Sequence, residues 1–197
     1  MRVSREQAEK NRSKVVDVAS RMFRGRGFDG AGIADIMSAA GMTHGGFYGQ
    51  FASKQQLAAE ASRAAMARTF RRWQAVLADA ASAPMRAVAA FYLTPAHRDN
   101  PETGCAFAAL AADAARAGPE VKAVFETGIA DQADLIQAAL MAQGMKKGAA
   151  RTQALASLAT LVGALALSRA VNDADLSAEI LAAARKRVTD VPGGQPS

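Results

Sequence analysis

The chain has 197 residues, half of them hydrophobic, 21% charged and 6% aromatic, with one cysteine and two histidines. That length buries a sizeable core unaided, and Cys105 has no partner within its own chain, which excludes a disulfide scaffold and points to a reducing, cytoplasmic setting. The net charge of +6 is uneven: residues 1–72 hold 13 Lys/Arg against 6 Asp/Glu and residues 73–197 hold 11 against 12, the footprint of a basic nucleic-acid-binding head on a neutral body, although an anionic membrane surface would attract the same charge.

Residues Arg2 to Lys10 are mostly polar and offer no apolar run for secretion. About a quarter of the residues are alanine, and alternation with period two is absent, so the chain reads as all-α. Arg5 to Arg24 forms the first predicted helix, with Val15, Val18, Ala19, Met22 and Phe23 on one face. Gly25 and Gly27 end it, because glycine enters the left-handed region freely. A short helix over Ile33–Ala40 stops at Gly41, and Thr43 is placed to cap another short helix to about Phe51; Ala34, Ile36, Met37, Ala40, Phe47 and Phe51 are placed to pack the two against Val18, Met22 and Phe23. Two helices joined by so tight a turn are a helix-turn-helix. Ser53 caps a long helix from Lys54 to about Ala81. Further helices are predicted at 83–94, 103–117, 119–142, 148–171 and 175–188, with 95–101 a polar loop and 191–197 a disordered tail. The most apolar stretch, Ala154 to Leu167, is shorter than the roughly 20 residues a bilayer requires and reads as a buried helix.

Gly25-Arg26-Gly27-Phe28-Asp29-Gly30 spells G-x-G-x-x-G, but it follows a helix and no strand pattern accompanies it, so it is read as helix punctuation. His44 and His97 lack neighbouring ligands for a metal, and no nucleophile, base and orienting residue assemble, so neither a metal, a cofactor nor an enzyme is expected. His97 carries two readings, a surface histidine or a group at the edge of a pocket. Cys105, at the start of a helix, carries two readings: a reactive thiolate or a small buried hydrophobe. The scarce aromatics Phe70, Trp73, Phe91, Tyr92, Phe107 and Phe125, with Cys105 and Leu110, make a candidate pocket wall for a small apolar ligand; plain core packing is the other reading. Leu155, Leu158, Ala159, Val162, Gly163, Ala166, Ile180, Leu181 and Ala184 place small and branched residues on the last two helices, where glycine and alanine permit close helix approach.

The run Phe23-Arg24-Gly25-Arg26-Gly27-Phe28, followed by Ile33-Ala34-Asp35-Ile36-Met37-Ser38-Ala39-Ala40-Gly41-Met42-Thr43-His44-Gly45-Gly46-Phe47-Tyr48-Gly49-Gln50-Phe51-Ala52-Ser53-Lys54-Gln55-Gln56-Leu57, resembles the TetR family of bacterial transcriptional regulators over about residues 10–60. The resemblance implies a helix-turn-helix head over 1–52 and a helical ligand-binding and dimerisation domain over 53–190. It implies that Thr43, His44, Gly45, Gly46, Tyr48, Gln50 and Lys54 face double-stranded DNA, with Tyr48 and Lys54 on phosphates and His44 and Gln50 at base edges. Arg2 and Arg5 are placed to reach a minor groove, or to stay solvated. Ala31 stands where the family often has a capping threonine, and the glycines leave few side chains to read bases. The last two helices would form a four-helix bundle with a second copy. The expected activity is that of a homodimeric repressor on a palindromic operator, released by a small-molecule effector. Two alternatives stay open: a thiol switch at Cys105, whose Gly-Cys setting resembles one branch of the family, and a helical ligand-binding protein or enzyme with only accessory DNA affinity.

Overall fold

The structure is a computed structural model that describes residues 4–80 and 82–190. Among the described residues there are α-helices and short 3₁₀ turns but no strand, as the composition predicts. The helices are α1 (Arg5–Arg26), α2 (Ile33–Ala39), α3 (Lys54–Asp79), α4 (Pro84–Tyr92), α5 (Pro95–Asp99), α6 (Ala106–Arg116), α7 (Pro119–Ala142), α8 (Lys147–Arg169) and α9 (Ala174–Thr189), with 3₁₀ turns at His44–Gly46 and Pro101–Thr103. The expected tail 191–197, Arg2 of the expected arm and Ala81 at the expected end of the long helix lie outside the described residues. By contact density the chain divides into two compact units: one comprises the described residues up to Ala67 together with Pro101–Glu126, the other Arg68–Asn100 together with the described residues from Thr127 onward.

In the first unit, Ser4 starts α1 by accepting the Gln7 N–H at 3.2 Å. The helix outruns its expected end: Gly25 stays helical, and termination falls at Gly27, where φ is 75° and the amide reaches the Phe23 carbonyl at 2.8 Å. A Cβ at Gly30 would lie 2.1 Å from the Arg26 carbonyl oxygen, so the G-x-G-x-x-G letters serve a tight turn. Gly32, not Ala31, is the N-cap of α2, and no side chain caps it; Ala31 is instead fully buried. Val15, Ala19, Phe23, Ile36, Met37, Ala40, Phe47 and Phe51 are buried. Of the other residues expected to join them, Val18 and Met22 are half-buried and Ala34 is exposed, because the buried stripe of α1 runs through Val15 and Ala19.

Pro101–Glu126 completes this unit. Arg24, 6% exposed on α1, donates from Nε (3.0 Å) and Nη2 (2.5 Å) to the Glu102 carbonyl and from Nη1 to Ser20 Oγ (2.9 Å). A buried guanidinium survives only when its donors are satisfied, so this clamp fixes the 3₁₀ turn against α1.

In the second unit, the expected loop 95–101 contains α5, because Thr94 accepts the His97 N–H at 3.1 Å and Pro95 opens the first turn with its φ preset. Arginines hold this corner: Arg169 donates to the carbonyls of Arg98 (2.9 Å) and His97 (2.7 Å), and Arg185 to that of Leu93 (2.5 Å). Helix α8 packs along α9, where Ser177 Oγ donates to the Ser168 carbonyl at 2.7 Å. At 23 residues and a mean hydropathy of 1.3 over its most apolar window, α8 is long and apolar enough to cross a membrane, which the 14-residue run within it is not. Lys147, Arg151 and Arg169 stand at its ends, and the Leu158, Leu161 and Leu165 side of it is buried.

Candidate nucleic-acid interface

The segment after Gly41 departs from the expected helix. Gly41 takes φ 72°, and only His44–Gly46 form a 3₁₀ turn before the chain bends at Phe47 to Gln50. Gly45, Gly46 and Gly49 explain the difference, since each glycine costs a helix about 1 kcal/mol relative to alanine. Thr43 has the extended backbone of an N-cap, yet its hydroxyl caps nothing.

Two phenylalanines hold the bend. Phe47 is fully buried and Phe51 is 1% exposed; their rings stack at 5.5 Å, and the Arg12 guanidinium lies 4.5 Å above Phe51. Arg12 also pairs with Glu60 of α3 through two 2.5 Å hydrogen bonds, and that carboxylate raises the guanidinium pKa. With Phe47 pinned inward, its neighbour Tyr48 points out, 66% exposed, edge-on to Phe47 at 5.2 Å and to His44 at 6.3 Å. Thr43, His44 and Gly45 are also exposed, and Gly46 is half-buried. These five positions lie together in one short segment of the basic head.

Gln50 behaves otherwise. Its amide nitrogen donates to the Gly46 carbonyl at 3.2 Å, and its buried Oε1 has no partner. The side chain expected at a base edge thus braces the turn. Lys54 is half-buried in the first turn of α3 without an ion-pair partner, and it follows a cap in which Gln56 N–H donates to Ser53 Oγ (3.0 Å) while Gln56 Oε1 accepts the Ala52 N–H (2.7 Å).

The expected pocket wall is divided between the units. Cys105, Phe107, Leu110 and Phe125 are buried in the first, where Phe107 and Phe125 meet edge-to-face at 6.0 Å. Cys105 is 3% exposed at the N-cap position of α6, and its sulfur does not cap the helix. In the second unit Trp73 meets Tyr92 at 5.4 Å and Tyr92 meets His97 at 4.6 Å, Phe70 is half-buried, and Phe91 is 41% exposed. His97 is not a surface histidine: it is half-buried, Nδ1 lies 2.7 Å from the Tyr92 carbonyl, and burial lowers its pKa. Sequence reasoning left its burial open because that burial comes from Tyr92 and the arginine-held corner. The indole N–H of Trp73 and the amide nitrogen of Gln132 are buried in this unit without hydrogen-bond partners, another feature that no pattern in the sequence signals.

On the last two helices, Leu155 and Ala159 are exposed and Val162, Gly163, Ala166 and Ile180 half-buried, whereas Leu158, Leu181 and Ala184 are buried within the unit. Those three pack the unit's own core, because they sit on the sides of α8 and α9 that face inward.

Residues 15–61 match the sequence profile of bacterial regulatory proteins of the tetR family, and residues 81–183 that of the LmrA/YxaF-like transcriptional regulator C-terminal domain. The HTH-type transcriptional repressor KstR2 of Mycolicibacterium smegmatis is 30% identical over 87 residues, 44% of this chain and 42% of that protein, so the match spans less than half of this relative. The fold is similar to that of reduced NemR from E. coli (TM-score 0.79, 19% identity, 92% of this chain and 96% of that one). It is also similar to a TetR regulator from Chloroflexus aurantiacus (TM-score 0.77, 23% identity, 94% and 97%). With one profile on the helix-turn-helix head and another across more than half of the chain, this protein belongs to the TetR family of bacterial transcriptional regulators.

Proposed function

We propose that the protein is a homodimeric repressor in which two heads, 1–52, bind the half-sites of a palindromic operator and the helical body, 53–190, dimerises and takes a small-molecule effector. The observation that carries this reading is the exposed segment Thr43 to Tyr48, fixed from beneath by Phe47 and Phe51 in the basic part of the chain. Gly45 and Gly46 let the backbone approach DNA closely, Tyr48 and Lys54 supply phosphate contacts, and His44 is left as the base reader. Half-sites about one helical turn apart suit such a dimer. The outer stripe of α8, with Leu155, Ala159, Val162, Gly163 and Ala166, together with Ile180 of α9, is the proposed dimer face; Gly163 there has open space around it. The effector is placed at Trp73, Tyr92 and His97, where the Trp73 indole N–H would meet an acceptor on an otherwise apolar molecule.

Selection of bound genomic fragments, followed by affinity measurement at near-physiological salt, tests the DNA reading. A palindromic fragment should be preferred over its scrambled form by about a thousandfold or more. Lys54→Ala should weaken binding to every sequence and flatten the salt dependence, whereas His44→Ala should change the preference among sequences. Binding that is weak and indifferent to sequence would overturn the proposal in favour of a head with only accessory DNA affinity.

A second reading is favoured by the Cys105 position, three residues beyond the carbonyl gripped by Arg24. The NemR structure is that of a reduced form, a statement of that protein's redox state. Carried to this chain, it supports Cys105 as a thiol switch, whose modification would disturb the clamp on α1. Cys105→Ser would then bind DNA and ignore electrophiles; release of DNA by an electrophile from that variant ends the reading.

A further inference from the structure

The exposed segment from Thr43 to Phe51 has little structure of its own to hold it. Its backbone closes only short-range turns, the longest from the Phe51 amide to the Phe47 carbonyl at 2.9 Å, and Gly45, Gly46 and Gly49 widen the conformations open to it. Burial of Phe47 and Phe51 is one restraint, and the other comes from a different helix.

Arg12 meets the segment from α1. Its guanidinium carbon lies 4.5 Å from the centre of the Phe51 ring, which stacks on Phe47, and Phe47 in turn meets Tyr48 edge-on at 5.2 Å. An arginine on a helix surface ordinarily samples many rotamers, but here Nη1 and Nη2 each bond one carboxylate oxygen of Glu60, 48 residues further on in α3, at 2.5 Å. Two such bonds fix the guanidinium in orientation as well as in place, which a single ammonium contact does not. Both terminal nitrogens are committed to that carboxylate, so Arg12 cannot turn them to a DNA phosphate without giving up the pair.

We propose that Arg12 is a positioning residue for DNA recognition: anchored by Glu60, it holds the Phe51 ring and, through the stack on Phe47, sets the direction of Tyr48 before DNA arrives. Glu60 places the guanidinium, and the guanidinium places the ring by cation–π attraction. The segment then meets DNA already ordered, and less freedom is lost on binding. The consequence for DNA rests on the reading above, whereas the placement of Tyr48 does not.

Glu60→Gln separates this role from simple charge. If only net charge mattered, removing a carboxylate from the basic head would strengthen DNA binding. With Glu60 as the anchor of Arg12, the substitution should instead weaken binding to the fragment recovered in the genomic selection by about tenfold, with the salt dependence unchanged. Arg12→Lys keeps the charge and loses the fork, so it should show the same weakening; a phosphate contact would survive it. Fluorotyrosine labelling reads the protein without DNA by fluorine NMR, since the chain has two tyrosines. In both variants the Tyr48 signal should move toward its position in the urea-unfolded protein. The Tyr92 signal, from a ring packed on Trp73 and His97 in the other unit, should stay in place, and thermal melting checks that the head remains folded. Undiminished DNA binding by Glu60→Gln, full affinity in Arg12→Lys, or an unmoved Tyr48 signal would each overturn the proposal. If the wild-type protein selects no fragment, the DNA reading falls, and the Tyr48 signal alone decides whether Arg12 positions that ring.

Discussion

Phe47→Ala is expected to cost about 3–5 kcal/mol and to abolish operator binding. The ring is fully buried, stacks on Phe51 and sets the direction of the neighbouring Tyr48. Its removal leaves a cavity under a segment that has only one 3₁₀ turn of regular structure, so nothing local replaces the lost support. Tyr48→Ala is the control: with 66% of that residue exposed, stability should change by no more than about 0.5 kcal/mol while DNA affinity falls. Denaturant unfolding and DNA titration of the two variants separate loss of the scaffold from loss of a contact. If Phe47→Ala unfolds at the wild-type midpoint, the ring does not anchor the reading segment.

Gly163→Arg is expected to convert the proposed dimer to monomers and to reduce operator affinity by orders of magnitude, since two linked heads bind far more tightly than one. A Cβ at this position meets nothing within 4 Å, so the start of a side chain has room there. Removing a glycine from the interior of α8 should even add up to about 1 kcal/mol to helix stability. Across a close helix contact, the same arginine brings bulk and a like charge from each copy to one place. Sedimentation reads the outcome directly. A dimeric Gly163→Arg protein would mean that the copies meet on another face.

The head was legible because its punctuation is local. Gly27 and Gly41 act through their own backbone, and the expected core residues Phe23, Ile36, Met37, Phe47 and Phe51 are all buried. Helix α7 begins and ends where Pro119 and Gly144 place it. Three clustered glycines, however, shortened the second helix of the motif to a turn, and the same bend brought Gln50 back onto Gly46. Pro95 reads as a loop marker because proline both opens and breaks helices, and only the Thr94 cap decides between the two. The pocket wall was the least legible part. Aromatic residues show that apolar surface is available, but which of them share one space depends on long-range packing, and here they fall in different units.

The Arg24–Glu102 clamp closes a unit whose two parts are separated in the chain by residues 68–100. During synthesis the polypeptide emerges from its amino end, and early segments ordinarily fold first. This unit is an exception: α1 is synthesised well before the 3₁₀ turn that satisfies its buried guanidinium. A nascent chain stalled before residue 101 therefore lacks the carbonyl that satisfies Arg24, which is left exposed to water or buried at a penalty. The amino-terminal unit is therefore completed only after residues 68–100 of the other unit have already been made.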